Sequence, residues 1–192
     1  LPVGIVLAII LRFSGEGEIF YRQARVGRNG KTFHVLKFAT MLKDSPNLGT
    51  GTITKKNDPR VLPMGGFLRK TKLNEVPQLW NIFVGDMSVI GPRPLHSKQF
   101  SFYSEDDQNI IASTKPGLSG VGSIIFRDEE TILQGCINPD ATYREEITPR
   151  KAALESWYVD NKSIGLYFKL IFLTLIAVMF SNVDMKKFFK DI

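Results

Sequence analysis

A β-hairpin is predicted by Glu18–Met41, EIFYRQARVGRNGKTFHVLKFATM, because apolar and polar residues alternate on both sides of a central turn. Within that turn, Asn29 and Gly30 readily adopt the positive φ that tight hairpin turns need. The arms and the turn carry five cationic residues: Arg22, Arg25, Arg28, Lys31 and Lys37. This cluster either binds phosphate or forms a solvated face, and the sequence leaves both open.

A loop and a helix follow the hairpin. Residues 42–63 are rich in Asn, Gly, Thr, Pro and Lys without a sustained period, which predicts a mobile loop. Phe67–Phe83 then predicts a helix with one apolar and one polar face. The apolar face consists of Leu73, Val76, Trp80 and Phe83, and the polar face of Asn74, Glu75, Gln78 and Asn81.

Pro77 limits where this helix can begin, because proline is tolerated in the first turn of a helix but not in its interior. Asn74 is therefore the predicted N-cap, with Pro77 in the first turn. Asn74 and Glu75 then have two interpretations. They cap the helix and complement its dipole, or they face a phosphate group or a metal that carries it.

Two later loops are rich in glycine and proline. In Gly91–Pro94 (GPRP), two prolines restrict the backbone around Arg93, which suits bidentate binding of a phosphate or carboxylate, or a structural bridge between loops. In Lys115–Ser123 (KPGLSGVGS), the glycines permit either a close approach of the backbone to a ligand or merely tight turns.

Both ends of the chain are apolar. Leu1–Leu11 has no charged side chain and is too short to span a bilayer, so we expect it to begin inside a longer apolar segment with a bend near Pro2. A buried core helix is the alternative. Ile164–Phe180 is apolar nearly all round, which means burial in protein or in lipid. Beyond it, apolar and basic residues predict a helix in a membrane interface, or one packed on its own domain. The apolar residues of that last helix are Met185, Phe188, Phe189 and Ile192.

Composition narrows the protein class. The 192 residues, 43% hydrophobic, indicate one ordinary folded domain and exclude a disordered or collagenous chain. Cys136 alone cannot form an intramolecular disulfide, and the two histidines lack companions for a zinc site. The net charge of +6 favours an anionic partner. Nucleic acid is the weakest choice, since no basic face is interleaved with aromatic residues.

Three strings carry a family resemblance: IFYRQARVGRNGKTFHVLKFATM, KTKLNEVPQLWNIFVGDMSVIGPRPL and KPGLSGVG. In this order, they make the chain resemble the bacterial sugar transferases, the monotopic polyprenyl-phosphate phosphoglycosyl transferases. The resemblance covers residue 1 to about residue 180. It implies transfer of a sugar 1-phosphate from a UDP-sugar to undecaprenyl phosphate, with release of UMP and with Mg²⁺. It places this step at the start of bacterial glycan assembly, on the cytoplasmic face of the inner membrane.

The resemblance also implies an architecture. We expect a helix-dominated α+β domain with a small β-hairpin, a re-entrant, bent membrane helix at the N-terminus, and interfacial amphipathic helices. Residues 1–13 are then the second limb of the re-entrant helix, residues 14–163 the catalytic domain, and residues 164–192 the membrane-associated C-terminal helices. Membrane lipid is an expected contact, and downstream glycosyltransferases are candidate protein partners.

The chain departs from the family pattern at the acidic dyad. Family members have Asp-Glu where this chain has Asn74-Glu75, and the Asp is the nucleophile that also binds Mg²⁺. An amide has no anionic oxygen and is a poor nucleophile toward phosphorus. Ala39 and the string SIIFRDEE differ from the usual pattern as well. Three explanations follow: a natural subgroup that uses another carboxylate, an introduced Asp-to-Asn change, or a non-catalytic relative. The carboxylates considered are Glu75, Asp86, Asp128, Glu129 and Glu130.

The resemblance assigns candidate site residues. Glu75, Asn74 and Arg93 are the expected catalytic residues, and Glu75 is the expected Mg²⁺ ligand. The expected substrate-binding residues are Lys37, Arg69, Arg127, Pro116, Gly117 and Asp128. The favoured function is phosphoglycosyl transfer. The alternative is a catalytically silent, membrane-bound relative that binds a nucleotide-sugar or a glycosyltransferase partner.

Overall fold

The computed structural model describes residues 2–48, 58–134, 136–180 and 182–189, so part of the predicted 42–63 loop lies outside the described residues. The helices are α1 Pro2–Arg12, α2 Gly65–Lys70, α3 Gln78–Phe83, α4 Ser97–Phe100, α5 Glu105–Ala112, α6 Val121–Ile125, α7 Glu129–Gln134, α8 Pro139–Thr142, α9 Thr148–Asn161 and α10 Ile164–Met179. The strands are β1 Phe20–Val26, β2 Thr32–Phe38, β3 Ser88–Ile90 and β4 Gly117–Ser119. The predicted helix-rich α+β class with little sheet is confirmed.

The predicted hairpin is present, since β1 and β2 pair as a two-stranded sheet. Its tip has Asn29 at φ 57° and Gly30 at φ 71°, the positive values that the Asn-Gly pair predicts. The rings of Phe20 and Phe38 stack with their centroids 5.6 Å apart. The alternating pattern of the sequence therefore yields the strands and the turn.

Contacts divide the chain into two compact units, Leu1–Gln23 with His34–Asn81, and Ala24–Phe33 with Ile82–Ile192. In the first unit, a small core forms around the buried side chains of Leu7, Leu11, Phe38 and Leu68. The start of α2 approaches the chain after β2 so closely that a Cβ on Gly65 would lie 2.1 Å from the Thr40 carbonyl oxygen. Glycine is required at this contact.

The second unit has a larger core built from β3, α6, α9, α10 and the segment Met185–Phe189. Its buried members are Ile90, Val121, Ile124, Tyr158, Val159, Leu170, Leu173, Met185 and Phe189. β3 and β4 run parallel, with Ser88 opposite Gly117 and Ile90 opposite Ser119. This parallel pair brings the two glycine- and proline-rich loops of the sequence together.

The two apolar ends form the helices α1 and α10, and each helix has one buried and one exposed apolar face. In α1, Leu7 and Leu11 are buried while Ile5 and Ile9 are exposed, and α10 buries Leu170 and Leu173 but exposes its opposite apolar face. Met185 and Phe189 pack into the second unit's core, which is the alternative considered for the last helix, whereas Ile192 lies outside the described residues. Among the described helices, none combines the length and apolar character needed to cross a membrane. The re-entrant and interfacial assignments stay predictions.

The prediction of a single apolar helical face through Leu73, Val76, Trp80 and Phe83 is wrong for its last two residues. The segment is broken into α2, a 3₁₀ turn at Leu73–Glu75, and α3. Leu73 and Val76 pack against the first unit's core as predicted, but Trp80 is 59% exposed and Phe83 is 80% exposed. The tighter 3₁₀ turn and Pro77 change the helical phase, so a single 3.6-residue period does not apply across the segment.

Candidate active site

The dyad region lies in the first unit, where β2 and the 3₁₀ turn meet. The Lys37 Nζ lies 3.5 Å from Oε1 of Glu75, and their side chains are 19% and 15% exposed. The turn is set by Lys72, whose φ of 59° reverses the chain after α2 and directs the next residues back toward β2. A partly buried carboxylate thus lies beside a lysine ammonium group, at a place that solvent still reaches.

Asn74 is buried beside Glu75, with only 8% of its surface exposed. Its Oδ1 has no hydrogen-bond partner within the described parts of the chain, so the prediction that Asn74 caps the helix is wrong. The reason is local: Asn74 lies inside the 3₁₀ turn, and α3 begins only after Pro77. A buried amide oxygen without a donor is costly, which marks this atom as a position where a cation or a donor group belongs.

Asn81 and Gln78, predicted only as members of a polar face, are buried residues of α3. The Asn81 side chain accepts a hydrogen bond from the Leu36 N–H at 2.9 Å and donates one to the His34 carbonyl at 2.8 Å. These bonds attach α3 to β2 at His34 and at Leu36, the residue directly before Lys37. Asn81 thereby holds the strand that presents the lysine.

Arg69 lies on α2, and its Nη1 is 3.5 Å from the Met41 sulfur. Nearby, Arg60 forms a buried ion pair with Asp58 on the same end of the 42–63 loop, with 2.6 Å between Nη2 and Oδ2. Arg60 also donates to the carbonyls of Ser45 and Leu48. The structure thus brings Lys37, Asn74 and Glu75 together and shows a separate anchoring pair at the base of the loop.

The second unit contains the Gly91–Pro94 loop. The Gly117 N–H donates to the Pro92 carbonyl at 2.8 Å, and the Gly91 N–H donates to the Ser119 carbonyl at 2.9 Å. A Cβ on Gly117 would lie 2.1 Å from the Gly91 nitrogen, so the two loops can meet this closely only because glycine occupies this position. Of the predicted site residues, Arg93, Pro116 and Gly117 are therefore brought together.

A buried carboxylate that the sequence did not single out lies behind this loop. Glu155 on α9 accepts a hydrogen bond from the Arg93 N–H, with 3.4 Å between N and Oε1. Burial is the largest cause that raises its pKa to about 7, although the Arg93 and Gly122 N–H groups and the charge of Lys151 act in the opposite direction. The sequence could have predicted this burial, because Glu155 is spaced three and four residues from the buried residues Ala152 and Val159 on one face of the helix.

Arg127 and Asp128 lie elsewhere in the second unit. Arg127 donates to the carbonyls of Ala177, Phe180 and Val183, at 3.1, 3.1 and 2.8 Å, and so closes the C-terminal end of α10. Its Nε lies 3.1 Å from the largely exposed Asp128 carboxylate. These contacts give Arg127 a structural role, and substrate binding by either residue stays a prediction.

Comparison with known proteins identifies the family. Residues 1–181 match the family model for bacterial sugar transferases. The chain belongs to the bacterial sugar transferase family. It is 32% identical to the exopolysaccharide production protein ExoY of Rhizobium meliloti (strain 1021), over 94% of this chain and 79% of the relative. It is 33% identical to the UDP-glucose:undecaprenyl-phosphate glucose-1-phosphate transferase of Escherichia coli (strain K12), over 91% of this chain and 35% of that longer relative.

A third relative of this sugar transferase is the UDP-galactose-lipid carrier transferase of Erwinia amylovora, 32% identical over 93% of this chain and 37% of the relative.

At the dyad of this sugar transferase, the oxygen donors that a hard cation prefers are the Glu75 carboxylate and the Asn74 Oδ1. Among the described residues, no group of three or more His, Cys, Asp or Glu side chains could hold a metal ion. A cation here would need further ligands from a bound substrate.

Proposed function

We propose that this sugar transferase moves a sugar 1-phosphate from a UDP-sugar to undecaprenyl phosphate, releases UMP, and so begins the assembly of a bacterial glycan. Family membership supports the reaction class, and the activities named for the Escherichia coli and Erwinia amylovora relatives support the donor and the lipid acceptor. The observation that carries the proposal is the Lys37–Glu75 pair beside the buried, unpartnered Asn74 Oδ1.

The charged side chains have distinct roles in this proposal. Lys37 holds the Glu75 carboxylate in place, and the Arg93 guanidinium neutralises the diphosphate as the bond to UMP breaks. Arg69, Pro116 and Gly117 are further candidates for contact with the donor. Fixed cationic groups of this kind stabilise the developing charge of the transition state because they need no reorganisation during the reaction.

Mg²⁺ fits the donor set of the dyad. Mg²⁺ is commonly held by one or two carboxylates together with substrate phosphates, so the Glu75 carboxylate and the buried Asn74 Oδ1 suffice as protein ligands. When bound, Mg²⁺ supplies charge neutralisation to the diphosphate. The protein's own contribution is to hold these two oxygens in a partly buried turn.

Asn74 leaves two routes for the chemistry. In one, a Glu75 oxygen attacks the sugar-bearing phosphorus, the bond to the UMP oxygen breaks, and the acceptor phosphate then displaces Glu75. In the other, a phosphate oxygen of undecaprenyl phosphate attacks that phosphorus directly, and UMP leaves with the bonding electron pair. Both routes release one UMP for each phosphosugar transferred.

The proposed setting is the cytoplasmic face of the bacterial inner membrane. The exposed apolar faces of α1 and α10 support contact with lipid, which is where an undecaprenyl chain must reside. Downstream glycosyltransferases that extend the lipid-linked sugar are the proposed protein partners. A catalytically silent relative that only binds the donor is the second candidate, and Asn74 in place of an acid is the observation that favours it.

UMP release by the protein in a bilayer mimic, with Mg²⁺, undecaprenyl phosphate and a panel of UDP-sugars, tests the proposal. We expect release by the unmodified protein and loss of at least tenfold in Glu75→Gln. Glu18→Gln is the matched control, because Glu18 forms an exposed ion pair with Lys43 in the same unit. Activity that appears only in Asn74→Asp would identify a disabled transferase, and full activity in Glu75→Gln would refute the role of Glu75.

A further inference from the structure

Glu155 joins α9 to the loop that carries Arg93. One carboxylate oxygen, Oε1, accepts the Arg93 N–H, and the Gly122 N–H also donates to this carboxylate. The other oxygen, Oε2, is buried and has no hydrogen-bond partner in the described portion of the chain. An ionisable group with one oxygen engaged and one unsatisfied is expensive to bury, so its retention needs a reason beyond packing.

The glycines around Glu155 show that the carboxylate and the loop fit together closely. A Cβ on Gly122 would lie 2.5 Å from Glu155 Oε1, and a Cβ on Gly120 would lie 2.2 Å from the Gly91 carbonyl oxygen. Any side chain at either glycine would displace the carboxylate or the loop. The position of the Arg93 backbone is therefore determined by α9 together with the β4–α6 turn.

Among the described residues, the charged and titratable groups that act on Glu155 are Lys151, Arg93, Tyr103 and Tyr158. Lys151, one turn earlier on α9, forms an ion pair with Glu129, and its ammonium lies over the rings of Phe126 and Tyr143. Arg93 also acts on the carboxylate through its charge, and the hydroxyl groups of Tyr103 and Tyr158 lie within the electrostatic reach of Glu155. Lys151 is therefore shared with Glu129, whereas the Arg93 backbone N–H is bound directly.

We propose that Glu155 is a positioning residue, whose carboxylate holds the Arg93 backbone and thereby sets the direction in which the Arg93 guanidinium meets the donor diphosphate. This inference rests on the proposed function of Arg93. Hydrogen bonds to an ionised acceptor are about twice as strong as those to a neutral one. Since the pKa of Glu155 is raised to about 7, Glu155 becomes ionised as the pH rises from 6 to 8, and its hydrogen bond with the Arg93 N–H becomes stronger.

Hydrogen exchange of the ligand-free protein tests whether Glu155 holds the Arg93 amide in this pH-dependent way. The Gly91–Pro94 segment has only two backbone amides, because two of its residues are prolines, and the Gly91 amide is held by Ser119. After correction for intrinsic exchange, we expect protection of the Arg93 amide to rise roughly fivefold between pH 6 and pH 8. Glu155→Gln should show no rise, and a rise of the same size in this variant would overturn the proposal.

Donor binding tests the consequence for the site. Binding of a UDP-sugar is measured by calorimetry instead of turnover, because the acceptor phosphate itself titrates near pH 6, at about its second pKa. We expect affinity to increase several-fold from pH 6 to pH 8 in the unmodified protein and to stay at the low value in Glu155→Gln. Ser156→Ala is the matched control, since it removes a partly buried hydrogen bond to Asp107 from the same helix and should retain the increase in affinity from pH 6 to pH 8.

The two experiments separate the inference from the function on which it rests. If no UDP-sugar binds at any pH, the proposed function fails and the exchange result alone decides whether Glu155 holds the loop. If the donor binds with an affinity that is independent of pH while the exchange step is present, Glu155 holds the loop without positioning Arg93 for the donor, and the proposal is wrong.

Discussion

Replacing Arg127 with methionine tests whether this residue serves the fold or the substrate. The guanidinium donates to three carbonyls at the end of α10, and its side chain is only 16% exposed. A hydrogen bond from a charged donor contributes about 1.5–3 kcal/mol. The freed carbonyls at this exposed helix end can bind water, so we expect a total loss of about 3 kcal/mol rather than the full sum.

The assay is thermal unfolding in the bilayer mimic used for activity. A loss of about 3 kcal/mol lowers the Tm of a chain of this size by roughly 6–12 °C. Asp128→Asn is the control: it removes the adjacent carboxylate, which is 67% exposed, and should change the free energy of unfolding by less than about 0.5 kcal/mol. An unchanged Tm in Arg127→Met, combined with weaker UDP-sugar binding, would refute this reasoning and assign Arg127 to the substrate.

Two further predictions concern buried polar groups. The native pKa of Glu155 lies near 7 instead of 4.5, so the stability that this difference confers is present below pH 4.5 and is lost as the pH rises through 7. We expect the free energy of unfolding to fall by about 3 kcal/mol over this range, and urea unfolding should show the fall in the unmodified protein but not in Glu155→Gln. Asn81→Ala leaves the Leu36 N–H and the His34 carbonyl unpaired and should cost about 2–4 kcal/mol by the same measurement. Asn81→Asp keeps the acceptor but places a buried, charged oxygen against the His34 carbonyl, so it should cost at least as much, and a smaller loss would contradict the two-bond account.

In the region of Asn74 and Glu75, the sequence predicted some features correctly and others incorrectly. Motif order identified the family, and the spacing of Leu73 and Val76 correctly predicted residues that pack on the first unit's core. The same periodicity failed at Trp80 and Phe83, because it assumed one helical phase from Leu73 to Phe83. Local propensity thus predicted the helical content and a boundary near Pro77, but not the change of helical phase that places Asn74 inward and Trp80 outward.

Local sequence determined the elements of this protein, namely the hairpin with its Asn-Gly turn, the apolar helices at both ends and the two glycine- and proline-rich loops, because neighbouring residues encode periodicity and turn geometry. Tertiary structure alone decided which polar groups are buried and what they hold. Glu155 meets Arg93 across 62 residues, Arg127 meets the Phe180 carbonyl across 53, and Asn81 meets Leu36 across 45. Contacts over such separations depend on how helices and strands pack, and no local pattern specifies them.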